Sequence, residues 1–146
     1  MKAASRAQSG SYHATSVAID ETGVLITGPS GSGKSALALQ LIALGAVLIA
    51  DDLTRVSASK TGPMLHAPDG LAGVIEARGV GLVRVPHVAR APLGLIVDMG
   101  VQETARLPEV RHSRVHGVEI VQVGRVDAPH FPASIMALAK GGRWHE

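Results

Sequence analysis

Gly28-Pro29-Ser30-Gly31-Ser32-Gly33-Lys34-Ser35 carries the pattern Gly-x4-Gly-Lys-Ser in full. That is the pattern of a phosphate-binding P-loop, and its flanks agree with it. Residues 24–27 before it are apolar and predict a strand. Beyond it Leu37, Ala38, Leu41 and Leu44 keep helical spacing and predict a helix from about Lys34 to Leu44. Glycines let successive backbone N–H groups converge on a phosphate, and the helix N-terminus adds its dipole. Lys34 brings a cation to the phosphates, and the Ser35 hydroxyl is suited to ligate Mg²⁺. A bare Gly/Ser turn between a strand and a helix is the alternative, and both flanks speak against it.

Upstream, Thr15–Ile19 reads as a strand and Asp20-Glu21-Thr22-Gly23 as a turn, so 15–27 forms a hairpin. Downstream, Gly45 stops the helix. The run 46–50 predicts a central strand, buried on both faces, that ends at Asp51-Asp52. Ligands of open α/β sheets gather at the C-terminal ends of strands. A carboxylate there can hold Mg²⁺ through water or accept a proton from an attacking hydroxyl. The alternative is a polar loop start capped by Asp.

Further strands are expected at 54–57, 64–67, 81–85, 93–98 and 118–123, with a C-terminal helix over 132–140 opened by its proline. Residues 1–11 read as a loose lead-in, and 100–116, polar and charged from Thr104 to His116, as a mobile loop. The expected fold is a single α/β domain over 1–146, a P-loop-containing mixed sheet with few helices.

Composition narrows the partners. The 146 residues are 46% hydrophobic, enough for a real core, yet only 2% aromatic, which disfavours a surface that stacks bases. A formal charge of +2 is too small to argue for nucleic acid. Without cysteine there is no disulfide, thiolate metal site or thiol nucleophile. No stretch has the roughly 18 apolar residues of a membrane span, and no apolar segment follows the first cations as in a signal peptide. The expectation is a cytoplasmic protein.

Ile75-Glu76-Ala77-Arg78-Gly79-Val80-Gly81 is less readable by itself. Taken alone it suggests a salt-bridged surface strand. Combined with His13 ahead of a strand, the run Leu25 to Ser35, and Leu44 to Val56 with its Asp pair, it resembles the catalytic domain of the HPr kinase/phosphorylase family. The resemblance covers about residues 12–98 and weakens toward the C-terminus.

The resemblance implies a protein-serine kinase that uses ATP and Mg²⁺ on an HPr-type phosphocarrier, with phosphorolytic dephosphorylation as a reverse reaction. It implies that Lys34 holds the transferring phosphate and that Ser35 and Glu76 bind Mg²⁺. Asp52 would take the serine proton, His13 would orient or charge-tune the Asp51-Asp52 pair, and Arg78 would belong to the same site. Arg106 looks like the family's mobile-loop arginine, although by itself it reads as a surface cation beside Arg111 and Arg114. His13 by itself reads as an exposed or capping histidine. Hexamers are common in the family, and the short alphaproteobacterial form lacks the N-terminal domain of longer members.

Departures from the family pattern are Ala36 in place of a Glu, a shortened segment after Glu76, and a dephosphorylation region reduced to Val123-Gly124-Arg125. They touch the reverse activity more than the kinase. Two other functions fit a P-loop: a kinase of a small metabolite, and a module that senses ATP without catalysis.

Overall fold

Asp20, in the left-handed region at φ 53, turns β3 (Thr15–Ile19) back on β4 (Thr22–Thr27) as an antiparallel hairpin. The computed structural model describes residues 6–8, 10–70 and 72–144. After β4 come α1 (Lys34–Ala43), β5 (Val47–Ala50), β6 (Thr54–Ser59), β7 (Gly62–His66), β8 (Val74–Ala77), β9 (Gly81–Arg84) and β10 (Arg90–Gln102). The chain continues through β11 (Arg111–Val115) and β12 (Val118–Arg125) to α2 (Phe131–Gly141). Ahead of the hairpin lie β1 (Arg6–Gln8) and β2 (Ser11–Tyr12).

One mixed sheet runs β1-β2-β6-β7-β10-β4-β3-β5, with β12 parallel to β10 and β11 antiparallel to β12. β10 is long enough to serve two neighbourhoods. Its first residues pair antiparallel with β7, and from Leu93 onward it runs parallel to β4. Because β3 lies antiparallel between β4 and β5, β5 runs the same way as β4, β10 and β12. All four therefore end at one edge of the sheet, and the P-loop, Asp51-Asp52 and Asp98 gather there.

The apolar runs of these strands are explained by burial on both faces. Val17, Ile19, Val24, Ile26, Leu95 and Val97 face one core with Leu37, Leu41 and Ile135 of the helices. The alternate residues Ala18, Leu25 and Ile96 face a second core with Val56, Leu65, Val115 and Ile120, where the sheet curls over on itself. A strand sealed on both sides has no polar face to alternate with.

Three expectations change. β5 is buried but not central; it is the last strand in the order. Its outer edge is covered by backbone instead of a further strand: Leu48 N donates to Pro86 O at 2.8 Å and Val88 N donates to Leu48 O at 3.0 Å. The segment 100–116 is not one loop, since 100–102 finish β10 and Arg111–Val115 is a strand. Ser113 and Val115 point inward there while His112 and Arg114 point out, so charge hid a period of two. The lead-in also contains strands: β1 pairs with β2, and β2 with β6, while residues 1–5 and 9 lie outside the described part.

Candidate active site

The P-loop leaves β4 at Gly28, whose φ is 142 and whose position admits no side chain. A Cβ there would stand 2.6 Å from Ser32 Oγ and 3.1 Å from Gly100 N. Glycine is thus required by close approach as well as by its dihedral. Gly33 caps α1 in the left-handed region, with no side-chain cap and no acidic residue in the first turn. The first N–H groups of α1 are left for an incoming anion. Ser32 Oγ is buried without a partner among the described residues. These features fit a bound phosphate.

Lys34 Nζ donates to Gly28 O at 2.8 Å and to Pro29 O at 3.1 Å, which folds the lysine over its own loop. Ser35 Oγ donates to Asp51 Oδ1 at 2.7 Å. Asp51 also accepts from Thr15 Oγ1 at 3.0 Å and, through Oδ2, from the backbone N–H of Glu76 at 3.0 Å. One carboxylate therefore ties α1, β3 and β8 to the end of β5.

Asp52 is arranged differently. Its φ is 70, its backbone N–H donates to Thr15 Oγ1 at 3.1 Å, and its exposed carboxylate has no hydrogen-bond partner among the described residues. The adjacent acids divide into a buttress and a free carboxylate.

A cleft of about 1590 Å³ brings together His13, the loop from Gly28 to Ser35 apart from Ser32, and Asp52, Glu76 and Arg78. Ligand pockets commonly measure about 300–1,000 Å³, so this one has room beside a nucleotide for part of a second substrate. Asp51 lies behind the wall as a support. Arg106, in the segment between β10 and β11, does not line the cleft.

Glu76 and Arg78 stand on the β8–β9 hairpin, a separate two-stranded sheet. Neither takes part in the three ion pairs found among the described residues, which join Arg111 to Glu103, Arg114 to Glu119 and Arg125 to Asp127. The salt-bridged strand suggested by the segment alone is not what forms.

Three residues of the site went unnoticed in the sequence. Asp98, 8% exposed on β10 opposite the last residue of β4, lines the cleft and accepts the N–H of Gly100 at 2.9 Å. Gly100 in turn packs under the loop: a Cβ on it would lie 3.0 Å from Pro29 Cδ. The signal available was an acid closing an apolar run and followed by Met-Gly, the same placement that drew attention to Asp51 and Asp52. Thr15 joins them as the buried hydroxyl between the two aspartates.

No group of three or more His, Asp or Glu side chains converges as a metal site among the described residues. Mg²⁺ commonly binds through one or two carboxylates together with substrate phosphates, so Ser35 and Glu76 beside a phosphate fit it. The Ser35 proton is already given to Asp51, which leaves the oxygen lone pairs for a cation. No helix of the described residues is long and apolar enough to cross a membrane.

Residues 4–89 match the family model described as the HPr Serine kinase C-terminal domain. The HPr kinase/phosphorylase of Bordetella avium (strain 197N) is 50% identical over 66 residues, 43% of this chain and 21% of that protein. That of Clostridium acetobutylicum is 40% identical over 74 residues, 51% of this chain and 24% of that protein. The matches thus span about a quarter or less of those relatives. The solved structure of the Hpr(Ser) kinase/phosphatase from Coxiella burnetii superposes with a TM-score of 0.74 at 26% identity, covering 89% of this chain and 88% of that one. With the loop, the paired aspartates and the Glu76 hairpin gathered at one sheet edge, the chain belongs to the HPr serine kinase C-terminal domain family.

Proposed function

We propose that this chain is a nucleotide-dependent protein-serine kinase, with ATP and Mg²⁺ as cosubstrate and cofactor and an HPr-type phosphocarrier as acceptor. The observation that carries the reading is the pairing, across one cleft, of the P-loop with an Asp52 carboxylate that has no partner among the described residues.

In the reaction the serine hydroxyl oxygen bonds to the γ-phosphorus as the bond to the leaving phosphate oxygen breaks. The hydroxyl proton passes to Asp52. Lys34 leaves the loop carbonyls for the phosphate oxygens, and the α1 N-terminus stabilises charge that grows on them. Ser35 and Glu76 would hold Mg²⁺ when it is bound, and it would supply charge neutralisation at the phosphates. Asp51 keeps Ser35 in place, and His13 orients Asp52 from the cleft wall. Asp98 and Gly100 hold the loop from beneath. Arg106 has no part in this scheme. The proposal includes a homo-oligomer, up to the hexamer that the resemblance implies.

The test is transfer of label from γ-labelled ATP, with Mg²⁺, to a serine of an HPr-type carrier. Label on the carrier serine, absent with Asp52→Asn while nucleotide still binds, supports the proposal. Nucleotide binding without transfer to the carrier overturns it in favour of an ATP sensor. Transfer to a small hydroxylated metabolite alone would make the chain a metabolite kinase.

A further inference from the structure

Away from the phosphate cleft, between α2 and β12, lies a cavity of about 140 Å³. Val123, Val126, Phe131, Ile135 and Leu138 supply an apolar wall. An apolar cavity of about 150 Å³ accommodates a six-carbon ring, so this one suits an apolar group of similar size.

Its polar groups are few and specific. Gln122 and Arg143 both line the cavity, and each carries a buried atom with no hydrogen-bond partner among the described residues: Gln122 Oε1, an acceptor, and Arg143 Nη1, a charged donor. Both heads turn about single bonds at the end of long side chains, so a small rotation presents either atom to a ligand. The other charged groups at the wall are Glu103 and Arg111, paired with each other at 2.7 Å, and the exposed Glu109. Glu103 is therefore neutralised, while the side chains of Gln122, Glu109 and Arg143 have no partner among the described residues.

We propose that this cavity binds a small apolar α-amino acid. Its carboxylate would pair with Arg143, its ammonium would donate to Gln122 and Glu109, and its side chain would fill the Phe131–Leu138 wall. An uncompensated buried donor or acceptor is costly, and a ligand that satisfies both gains on both. A purely apolar ligand satisfies neither. This inference is independent of the proposed kinase activity.

Occupancy would also link α2 to both ends of the segment between β10 and β11, because Glu103, Pro108, Glu109 and Arg111 are in the wall.

The experiment is a titration of the full isotope-labelled chain, without nucleotide, followed by NMR at the methyls of Val123, Ile135 and Leu138. L-Leucine is the probe, and 4-methylpentanoate and isoamylamine, each lacking one charged group, are the controls. The expected result is saturable perturbation by leucine, with each control weaker by about tenfold or more, the loss of one charge-assisted hydrogen bond. Arg143→Gln should weaken leucine by a similar factor and leave isoamylamine unchanged. Slower amide exchange over 104–110 on binding would support the link to that segment. No saturable change, equal affinity for all three probes, or perturbation at the P-loop instead would overturn the proposal. Methyl shifts that depend on protein concentration without ligand would assign the face to a second copy and also overturn it.

Discussion

Asp51 and Asp52 are adjacent and chemically identical, yet their removal should have opposite consequences. In Asp51→Ala three donors lose their acceptor: Ser35 Oγ, Thr15 Oγ1 and Glu76 N. Hydrogen bonds to a charged group contribute about 1.5–3 kcal/mol each when their loss leaves a partner buried. Thr15 is fully buried and keeps that cost, whereas Ser35 and Glu76 reach solvent and recover much of theirs. About 2–3 kcal/mol for Thr15 and about 1 kcal/mol for each of the others gives a loss of about 4–5 kcal/mol. For a domain of this size that lowers Tm by roughly 8–20 °C.

Asp52→Asn removes a carboxylate with no partner and keeps a residue tolerant of φ 70, so stability should change by less than about 0.5 kcal/mol. Urea unfolding should be followed by far-ultraviolet circular dichroism, because the single tryptophan, Trp144, is 85% exposed and suits fluorescence poorly. A change in midpoint at constant m reads the difference. If Asp51→Ala fell within about 1 kcal/mol of the parent, or Asp52→Asn lost as much as Asp51→Ala, the division into buttress and free acid would be wrong.

Other outcomes follow from the same contacts. Gly100→Ala places a Cβ 3.0 Å from Pro29 Cδ and 3.2 Å from Asp98 Oδ1, so the loop must shift; nucleotide affinity by calorimetry should fall severalfold for a stability cost of about 1–3 kcal/mol. Unchanged affinity would show that Gly100 does not support the loop. Lys34→Ala, whose side chain contacts only loop carbonyls, should abolish nucleotide binding with the Tm nearly unmoved; retained affinity would deny Lys34 its role. The Ala105 backbone N–H, with Arg111 adding to it, holds the Glu103 carboxyl below its ordinary 4.5. A depressed acid stabilises above its unfolded value and stops doing so as pH falls through its folded value. Carbon NMR of Glu103 should titrate below 4.5, and Arg111→Gln should restore only part of the shift; full restoration would contradict the leading role of Ala105.

Local patterns proved readable where one cause dominates. The hairpin over 15–27, the loop and α1 follow from turn residues, glycine spacing and a helical repeat, and all stand where expected. β11 was hidden because its outward positions carry His112 and Arg114, which read as loop composition although Ser113 and Val115 keep the strand period. The edge position of β5 could not be read because its cover, Pro86 to Val88, comes from nearly 40 residues further on. The site shows the same division. The P-loop and Asp pair announce themselves by type and spacing, whereas Asp98, which also closes an apolar run, is tied to the loop only when β10 is laid beside β4 with Asp98 opposite Thr27. Nor does any local pattern say that Asp51 faces inward and Asp52 out; that depends on Thr15 and Glu76, brought from two other strands.

The support beneath the P-loop also sets an order of events during synthesis. Thr27 of β4 donates to Val97 of β10, 70 residues later. At roughly 5–20 residues per second a ribosome needs roughly 4–14 s to make that stretch. Throughout that interval β4 has one unpaired edge and the loop lacks Asp98 and Gly100. Until the second partner emerges, the nascent chain carries the complete phosphate-binding motif on a strand open to pairing with other polypeptides.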